Sequence, residues 1–564
     1  MKMTGTVHRI LLVSALLLSF AAALAGPLAA DETTDKVDKL FASWDKTTSP
    51  GATLAVIRDG RIIYKRGYGM AKLEDGIVMT PDKIFDIGSV SKQFTATCVV
   101  MLVRQGKVAL DDNVRKYIPE LPDYGTPITV RHLLHHTSGL RDYNALLELA
   151  GFRGDSDCPN VDEALDVICR QKKLNYPPGT EYSYTNTGFF LLSQIVERAS
   201  GKSLNAFAQE HVFKPLGMEH TLYQDDHTQI IKNRASGYDQ DGRGFKLNMS
   251  NWDETGDGNV YTSVEDLYLW DQAFYTNALG KDVMDMLHTT GTLNNGQKIA
   301  YAFGLRVGEY RGLKTVRHSG SWAGFRAALV RFPEQNFSVI CLANLSSISP
   351  SQLCNSSADI YLDGLLKDPL KEEKAKPAGN ASSMKEFESR AGRYQETKFG
   401  HWVEIARTDL GLKVTLMGDA FSLKADGPGD FRSMNGVNNV RLEFLPDENG
   451  RPMAARLTFV KAEEYLLKKA DAPAALEAGR LLEYAGSYIS PELFDACYQI
   501  AVNNGGLILK TRTVQKGLLR PMAPDKFTSP DLEVNIDFVR DKTGKISGFK
   551  LGYDGAGGIE FVKK

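Results

Sequence analysis

The stretch FDIGSVSKQF, residues 85–94, sets Ser89 three residues before Lys92 at the start of an apolar run, SKQFTATCVVMLVRQG, residues 91–106. Residues three apart share a helix face, so the lysine amine can approach the serine hydroxyl. The start of a helix also carries unpaired N–H groups and the positive end of the peptide dipole. Both favour the oxyanion of an acyl-transfer intermediate. A serine hydroxyl is a weak nucleophile until a base takes its proton, and burial among apolar groups lowers the pKa of a lysine. The pair alone is common: Ser43/Lys46, Ser382/Lys385 and Ser547/Lys550 repeat the spacing. The last two fall in a linker-like and a strand-like segment, where the spacing carries no chemistry. Only at Ser89 does a glycine precede the serine and a long apolar helix follow.

Two further stretches carry matching chemistry. In PPGTEYSYTNTGFF, residues 177–190, Tyr184 and Asn186 follow a Pro-Pro-Gly turn and precede a helix expected from Gly188. A tyrosinate there shares proton transfer with Lys92. In an extended segment Asn186 points the same way as Tyr184, with an amide suited to a substrate amide. A second YTN, Tyr275-Thr276-Asn277, ends the helical stretch EDLYLWDQAFYTN and is expected only to terminate it. In VRHSGSWAGF, residues 316–325, His318 and Gly320 sit beside an expected strand. Gly320 is expected to let a substrate backbone lie close.

Around these stretches the chain divides into parts. Residues 51–72 alternate about a turn at Asp59-Gly60 and read as a β-hairpin. Helical patterns dominate from about 89 to past 215, strands return at 313–345, and a helix is expected over 351–366. Strands at both ends with helices between predict one α+β domain over 31–366. Residues 367–386 are charged, contain Pro and Gly, and lack apolar periodicity, so they read as a linker. The remainder is a repeat. Ala391, Gly392, Tyr394, Gly411 and Val440 recur at one constant offset as Ala485, Gly486, Tyr488, Gly505 and Val534. Two antiparallel β units are therefore expected, 387–473 and 478–564, each small enough that a closed barrel hides its edges. A literal Lys542-Thr543-Gly544 falls where Glu448-Asn449-Gly450 stands in the first repeat, which makes it a hairpin turn.

The whole-chain numbers exclude several classes. A net charge of −2 supplies no electrostatic reason for nucleic acid or an anionic membrane as partner. A weakly basic start (Lys2, His8, Arg9), an apolar run over 10–25 and small residues at 23–25 read as a signal peptide, residues 1–25. The chain is thus expected to be exported, periplasmic or secreted, with no membrane span after cleavage. Export permits disulfides among the six cysteines, with Cys158/Cys169 and Cys341/Cys354 as possible pairs and Cys98 as core. No CxxC or His/Cys run suggests a metal.

Ser89-x-x-Lys92, Tyr184-x-Asn186 and His318-x-Gly320, in that order, resemble the three motifs of the penicillin-recognising serine hydrolases. The class C β-lactamase-like subgroup is similar also in ITVRHLLHHTSGL (128–140), VFKPLGM (212–218) and GNVYTSVEDLYLW (258–270). The resemblance spans about 31–366. It implies an antiparallel sheet flanked by helices plus a helical region, with no cofactor and no metal. It implies Ser89 as the acylated nucleophile, Lys92 and Tyr184 as the proton-transfer pair, and Asn186, His318 and Gly320 at the substrate. The backbone N–H groups of Ser89 and Ser321 would form the oxyanion hole. His318 departs from the lysine of true class C β-lactamases, and a neutral imidazole suits a substrate carboxylate less well. Within the family His-x-Gly is typical of D-aminopeptidases, D-Ala-D-Ala carboxypeptidases and some esterases, and two trailing β-barrels resemble the D-aminopeptidases in particular. The expected substrates are small peptides, amides or esters, with β-lactams as acylating ligands. The alternatives are an esterase or weak β-lactamase, and a penicillin- or peptidoglycan-binding protein that does not turn over.

Overall fold

The computed structural model describes residues 32–367 except 155, and 388–564 except 389, 409–410, 417–418, 428, 434–439, 447–451, 460–462, 471–477 and 514–515. The expected signal peptide and all of the expected linker but Lys367 lie outside the described residues.

Six antiparallel strands form the central sheet, in the order Arg306–Tyr310, Leu313–Trp322, Phe325–Phe332, Phe337–Ala343, Ala52–Arg58, Arg61–Tyr68. The N-terminal hairpin thus zips onto the last strand of the unit, from Ala52 opposite Ala343 to Arg58 opposite Phe337. Successive side chains alternate faces. Ala52, Leu54 and Val56 pack with Val37 and Phe41 and with Leu353, Cys354 and Ala358 of the helix Pro350–Tyr361. Ala55 and Ile57 join the opposite core with Val264, Leu267 and Trp270 of the helix Val264–Thr276. Helices on both faces explain why the first strand reads as a near-continuous apolar run. One ion pair lies inside this layer: Arg331 Nε is 3.0 Å from Asp271 Oδ1, both side chains buried. Pairing is what makes such burial tolerable.

The helical region stands beside the sheet, with Lys92–Arg104 packed against Asn186–Ser200 at its centre. The second YTN does terminate its helix: Val264–Thr276 ends with Asn277 in the left-handed conformation, φ 54°.

The repeat forms two closed barrels of eight antiparallel strands, from Gly392–Glu396 to Glu463–Lys469 and from Gly486–Ser490 to Ala556–Lys563. Closure leaves no unpaired edge. Lys542-Thr543-Gly544 is the expected hairpin turn, with Asp541 Oδ1 accepting from Thr543 N at 2.8 Å. Among the described residues no helix is long and apolar enough to cross a membrane. All six cysteines are free. The two possible disulfides are therefore not formed: Cys341 and Cys354 are buried thiols, and the Cys158 thiol meets His227 and Asp253 instead of Cys169.

The second barrel docks on the α+β domain through polar groups as well as apolar ones. Arg141 Nη1 lies 2.6 Å from Glu492 Oε2, with both side chains almost wholly buried. Asp142 N donates to Gly555 O (2.9 Å), and Tyr498 donates its hydroxyl to Leu149 O (2.8 Å). Removing one partner of a buried pair strands the other charge and costs about 3–5 kcal/mol. Glu492→Ala should therefore lower the thermal midpoint and expose the barrel junction to limited proteolysis. An unchanged midpoint would show that the pair does not hold the junction.

Candidate active site

Residues Gly88–Ser91 form a tight 3₁₀ turn that runs straight into the helix Lys92–Arg104. A neighbouring strand, Val260–Thr262, holds the turn: Ile87 N donates to Val260 O (3.0 Å) and Val260 N donates to Ser91 Oγ (3.1 Å). Strand Leu313–Trp322 closes from the other side. A Cβ on Gly320 would fall 1.9 Å from Ile87 O and 3.0 Å from Ser89 N. The bareness of Gly320 thus admits the carbonyl of Ile87 beside the Ser89 turn. Gly88 meets the same strand in the left-handed conformation, φ 49°, and a Cβ there would lie 2.8 Å from Ser321 N. The two glycines let the Ser89 turn and the strand at Ser321 approach closely, and both serines line the same pocket.

Lys92 is fully buried. Its Nζ donates to Ser89 Oγ (3.0 Å), Asn186 Oδ1 (2.8 Å) and the backbone carbonyl of Asp257 (2.7 Å). Three donors on three oxygens is the full complement of an ammonium. In the neutral amine, two N–H groups keep Asn186 and Asp257, and the lone pair is left facing Ser89 Oγ. That is the geometry of a base.

Tyr184 stands across this amine, its ring centroid 5.0 Å from Lys92 Nζ. Asn186 is not in an extended segment: the helix Asn186–Ser200 begins with it, two residues earlier than expected. The reason lies in residues that local pattern does not mark. The carboxylate of Asp142 accepts from Asn186 N (2.6 Å) and from Thr185 Oγ1 (3.2 Å), supplying the cap that Thr185 does not. His136 Nδ1 accepts from Thr185 N (3.2 Å), and its ring lies 4.2 Å from that of Tyr184. Burial holds the His136 pKa well below the usual value, so the ring is neutral.

His318 lies within the strand, not at its end, and is buried. Its Nδ1 contacts the Ser319 carbonyl (2.7 Å), which takes an N–H donor. Nε2 is then the acceptor for the Tyr301 hydroxyl, at 2.9 Å. Burial, with Lys92 nearby, pushes the His318 pKa down to about 3. Both ring nitrogens are thus taken within the protein, and Tyr301, absent from the sequence reading, is the partner.

Ser89, Asn186 and Ser321 line one pocket of about 130 Å³, together with Tyr143, Asn144, Trp252, Glu254, Asp257 and Trp322. Tyr184 and Asn186 also line a wider vestibule of about 360 Å³, walled by Lys398 and Phe399 of the first barrel and by Tyr553 to Gly555 of the second. The inner pocket is acidic. Burial pushes the Glu254 carboxyl up to about 8 and the Asp257 carboxyl up to about 6, the latter opposed by Lys92. Tyr143 donates to Asp257 Oδ1 (3.2 Å), whereas neither carboxylate oxygen of Glu254 has a partner. Apart from this pocket, Cys158, His227 and Asp253 form the grouping of Cys, His and carboxylate donors found among the described residues. They bond one another, His227 Nδ1 to Asp253 Oδ1 at 2.9 Å and to Cys158 Sγ at 3.5 Å.

The family model described as Beta-lactamase matches residues 37–355, more than half of the chain. The chain belongs to this family. It is a serine hydrolase with a β-lactamase-like domain and two C-terminal barrels. It is 28% identical over 471 residues to a D-aminopeptidase of Brucella anthropi, covering 76% of this chain and 86% of that protein. It is 30% identical over 322 residues to penicillin-binding protein 4* of Bacillus subtilis, covering 54% of this chain and 70% of that one. Among solved structures, the octameric penicillin-binding protein homologue from Pyrococcus abyssi superposes with a TM-score of 0.52 at 25% identity, covering 77% of this chain and 98% of that chain.

Two measurements probe this geometry. Gly320→Ala should slow acylation of Ser89 by about 10²-fold, the effect of losing one oxyanion donor, ~3 kcal/mol. A rate within a factor of two of wild type would free the strand of that role. Glu254 titrates near 8 in the fold against 4.5 in the unfolded chain, so the fold retains a proton that the unfolded chain releases between those values. Its contribution to stability is present below pH 4.5 and is lost as pH rises through 8. The thermal midpoint of Glu254→Gln should therefore gain on wild type as pH rises from 4.5 to 8. A pH-independent gap would refute the shift.

Proposed function

We propose that this chain is exported and hydrolyses an amide next to a D-amino acid in small peptides or amides, through an acyl-Ser89 intermediate. The observation that carries the reading is the Lys92 amine, 3.0 Å from Ser89 Oγ and aimed there by Asn186 and the Asp257 carbonyl. Lys92 takes the Ser89 proton as Oγ attacks the carbonyl carbon. The N–H groups of Ser89 and Ser321 hold the resulting oxyanion. The proton passes by Lys92 and Tyr184 to the leaving nitrogen as the C–N bond breaks, and a water then releases the acid by the reverse path. General base catalysis of this kind contributes typically ~10²–10⁴-fold.

Several observations favour an amide substrate of limited size. The relatives include a D-aminopeptidase matched along most of its length. The barrels crowd the vestibule, so access narrows to short ligands. His318 is neutral and engaged by Tyr301, so it offers no cation to a substrate carboxylate. This weighs against a β-lactamase and a carboxypeptidase. β-Lactams remain suitable acylating ligands, since acylation needs only the nucleophile, the base and the oxyanion donors.

A turnover screen with the purified chain decides the matter. D-Alanyl amides should be cleaved in preference to L-alanyl amides, p-nitrophenyl esters and nitrocefin. Ser89→Ala should lose all turnover, and a fluorophosphonate should label the wild-type Ser89 peptide only. Cleavage confined to L-substrates, or no mass shift on that peptide, would sink the proposal.

A further inference from the structure

The inner pocket carries polar groups that the acyl-transfer chemistry does not use. Glu254 is 2% exposed, so its carboxylate is cut off from bulk water. Neither of its oxygens has a hydrogen-bond partner, and Asn144 Oδ1, in the same lining, also has none. Against these three acceptors stands one unpartnered donor, Trp252 Nε1. A buried polar group without a partner costs about 1–3 kcal/mol, and more when charged. Such groups persist where a ligand supplies the missing partner. By itself Glu254 keeps its proton up to about pH 8, and a ligand that donates several hydrogen bonds and brings positive charge would let it ionise.

The neighbours narrow its shape. The pocket holds about 130 Å³, well under the ~300 Å³ of a drug-sized site, so only a small fragment enters. Ser89 and Ser321 line that same pocket, so the fragment is attached to the acyl carbon under attack. Trp252 and Trp322, with rings 5.1 Å apart, supply apolar walls. The vestibule with Tyr184 and the barrel loops is left for the departing part.

We propose that Glu254 and Asn144 form the subsite for the protonated α-amine of the substrate's N-terminal residue. The ammonium has three N–H donors, matching two carboxylate oxygens and one amide oxygen. The inference rests on the amide-hydrolase reading and specifies it: the enzyme removes a small N-terminal residue whose amine is free, and an acylated amine is refused. Refusal follows because an acetylated nitrogen keeps one donor and no charge, so it cannot draw the proton from Glu254 and leaves most of the three acceptors without a partner.

The test uses the full chain and two probes, D-alanine p-nitroanilide and its N-acetyl derivative. Wild type should prefer the free amine in kcat/KM. In Glu254→Gln that preference should fall by about 10- to 100-fold, the range for a charged hydrogen bond, and the loss should appear in KM. Glu254→Asp, which retains the charge, should recover part of it. Fluorophosphonate labelling of Ser89 reports that each variant is folded. Binding to Ser89→Ala gives a reading without turnover: D-alaninamide should bind more tightly than N-acetyl-D-alaninamide, and Glu254→Gln in that background should remove the difference. An unaltered preference in the Glu254 variants overturns the subsite. Turnover without amine preference does the same while leaving the hydrolase reading intact. Glu254-dependent amine binding with no turnover of any amide supports the subsite and sinks the hydrolase reading.

Discussion

A fully buried amine needs three oxygens, and the site is built around that requirement. Lys92 meets it with Ser89, Asn186 and the carbonyl of Asp257. An ammonium stripped of water is too costly to leave unpaired, so burying Lys92 requires the three segments carrying these oxygens to converge. The convergence is also the chemistry. Two of the oxygens are fixed acceptors, and the third belongs to the nucleophile. The residues that pair the buried ammonium are also those that, once the amine is neutral, hold its two N–H groups and leave a lone pair in front of Ser89.

Support for this arrangement comes from residues that touch neither nucleophile nor base. Asp142 caps the helix Tyr143–Ala150 with one oxygen and holds Asn186 N and Thr185 Oγ1 with the other. Its own N–H donates to Gly555 in a hairpin of the second barrel. The barrel, the asparagine and the base are therefore joined through one residue, Asp142, by its backbone N–H on one side and its carboxylate on the other. The buried Arg141–Glu492 pair sits one residue away in the chain and ties the same segment to the same barrel. The barrels do more than trail the catalytic domain, since their docking reaches the residue that orients Asn186.

Acidic side chains gather opposite the base, and burial works against their charge. Asp86, Asp257 and Glu254 are all buried, and burial raises all three. Asp86 spends one oxygen on Gly88 N, steadying the nucleophile turn (2.8 Å). Asp257 is steadied by Tyr143 and faces Lys92. Glu254 alone has no partner for either oxygen, which sets it apart from acids that serve the scaffold. The histidines show the opposite trend. His136 and His318 are kept neutral by burial and act as hydrogen-bonding supports for the Tyr184 and Tyr301 side of the site.

Much of the architecture was legible before any coordinates. The hairpin, the α+β division, the repeat and the decoy motifs at 275–277 and 542–544 follow from periodicity and turn residues, because these are local properties of the backbone. So was the approach of Lys92 to Ser89, which their spacing on one helix face sets, whereas Asn186 begins a helix where an extended segment is expected. Gly320, Asp142, Tyr301 and Glu254 are different. Nothing in their neighbours marks a glycine that admits the Ile87 carbonyl, or distinguishes an acid that caps from one left bare. Their roles depend on what approaches from 17 residues away, as at Tyr301 and His318, or from the far barrel, as at Asp142 and Gly555, and only chain packing, which sets burial and therefore the cost of each unpaired charge, decides that.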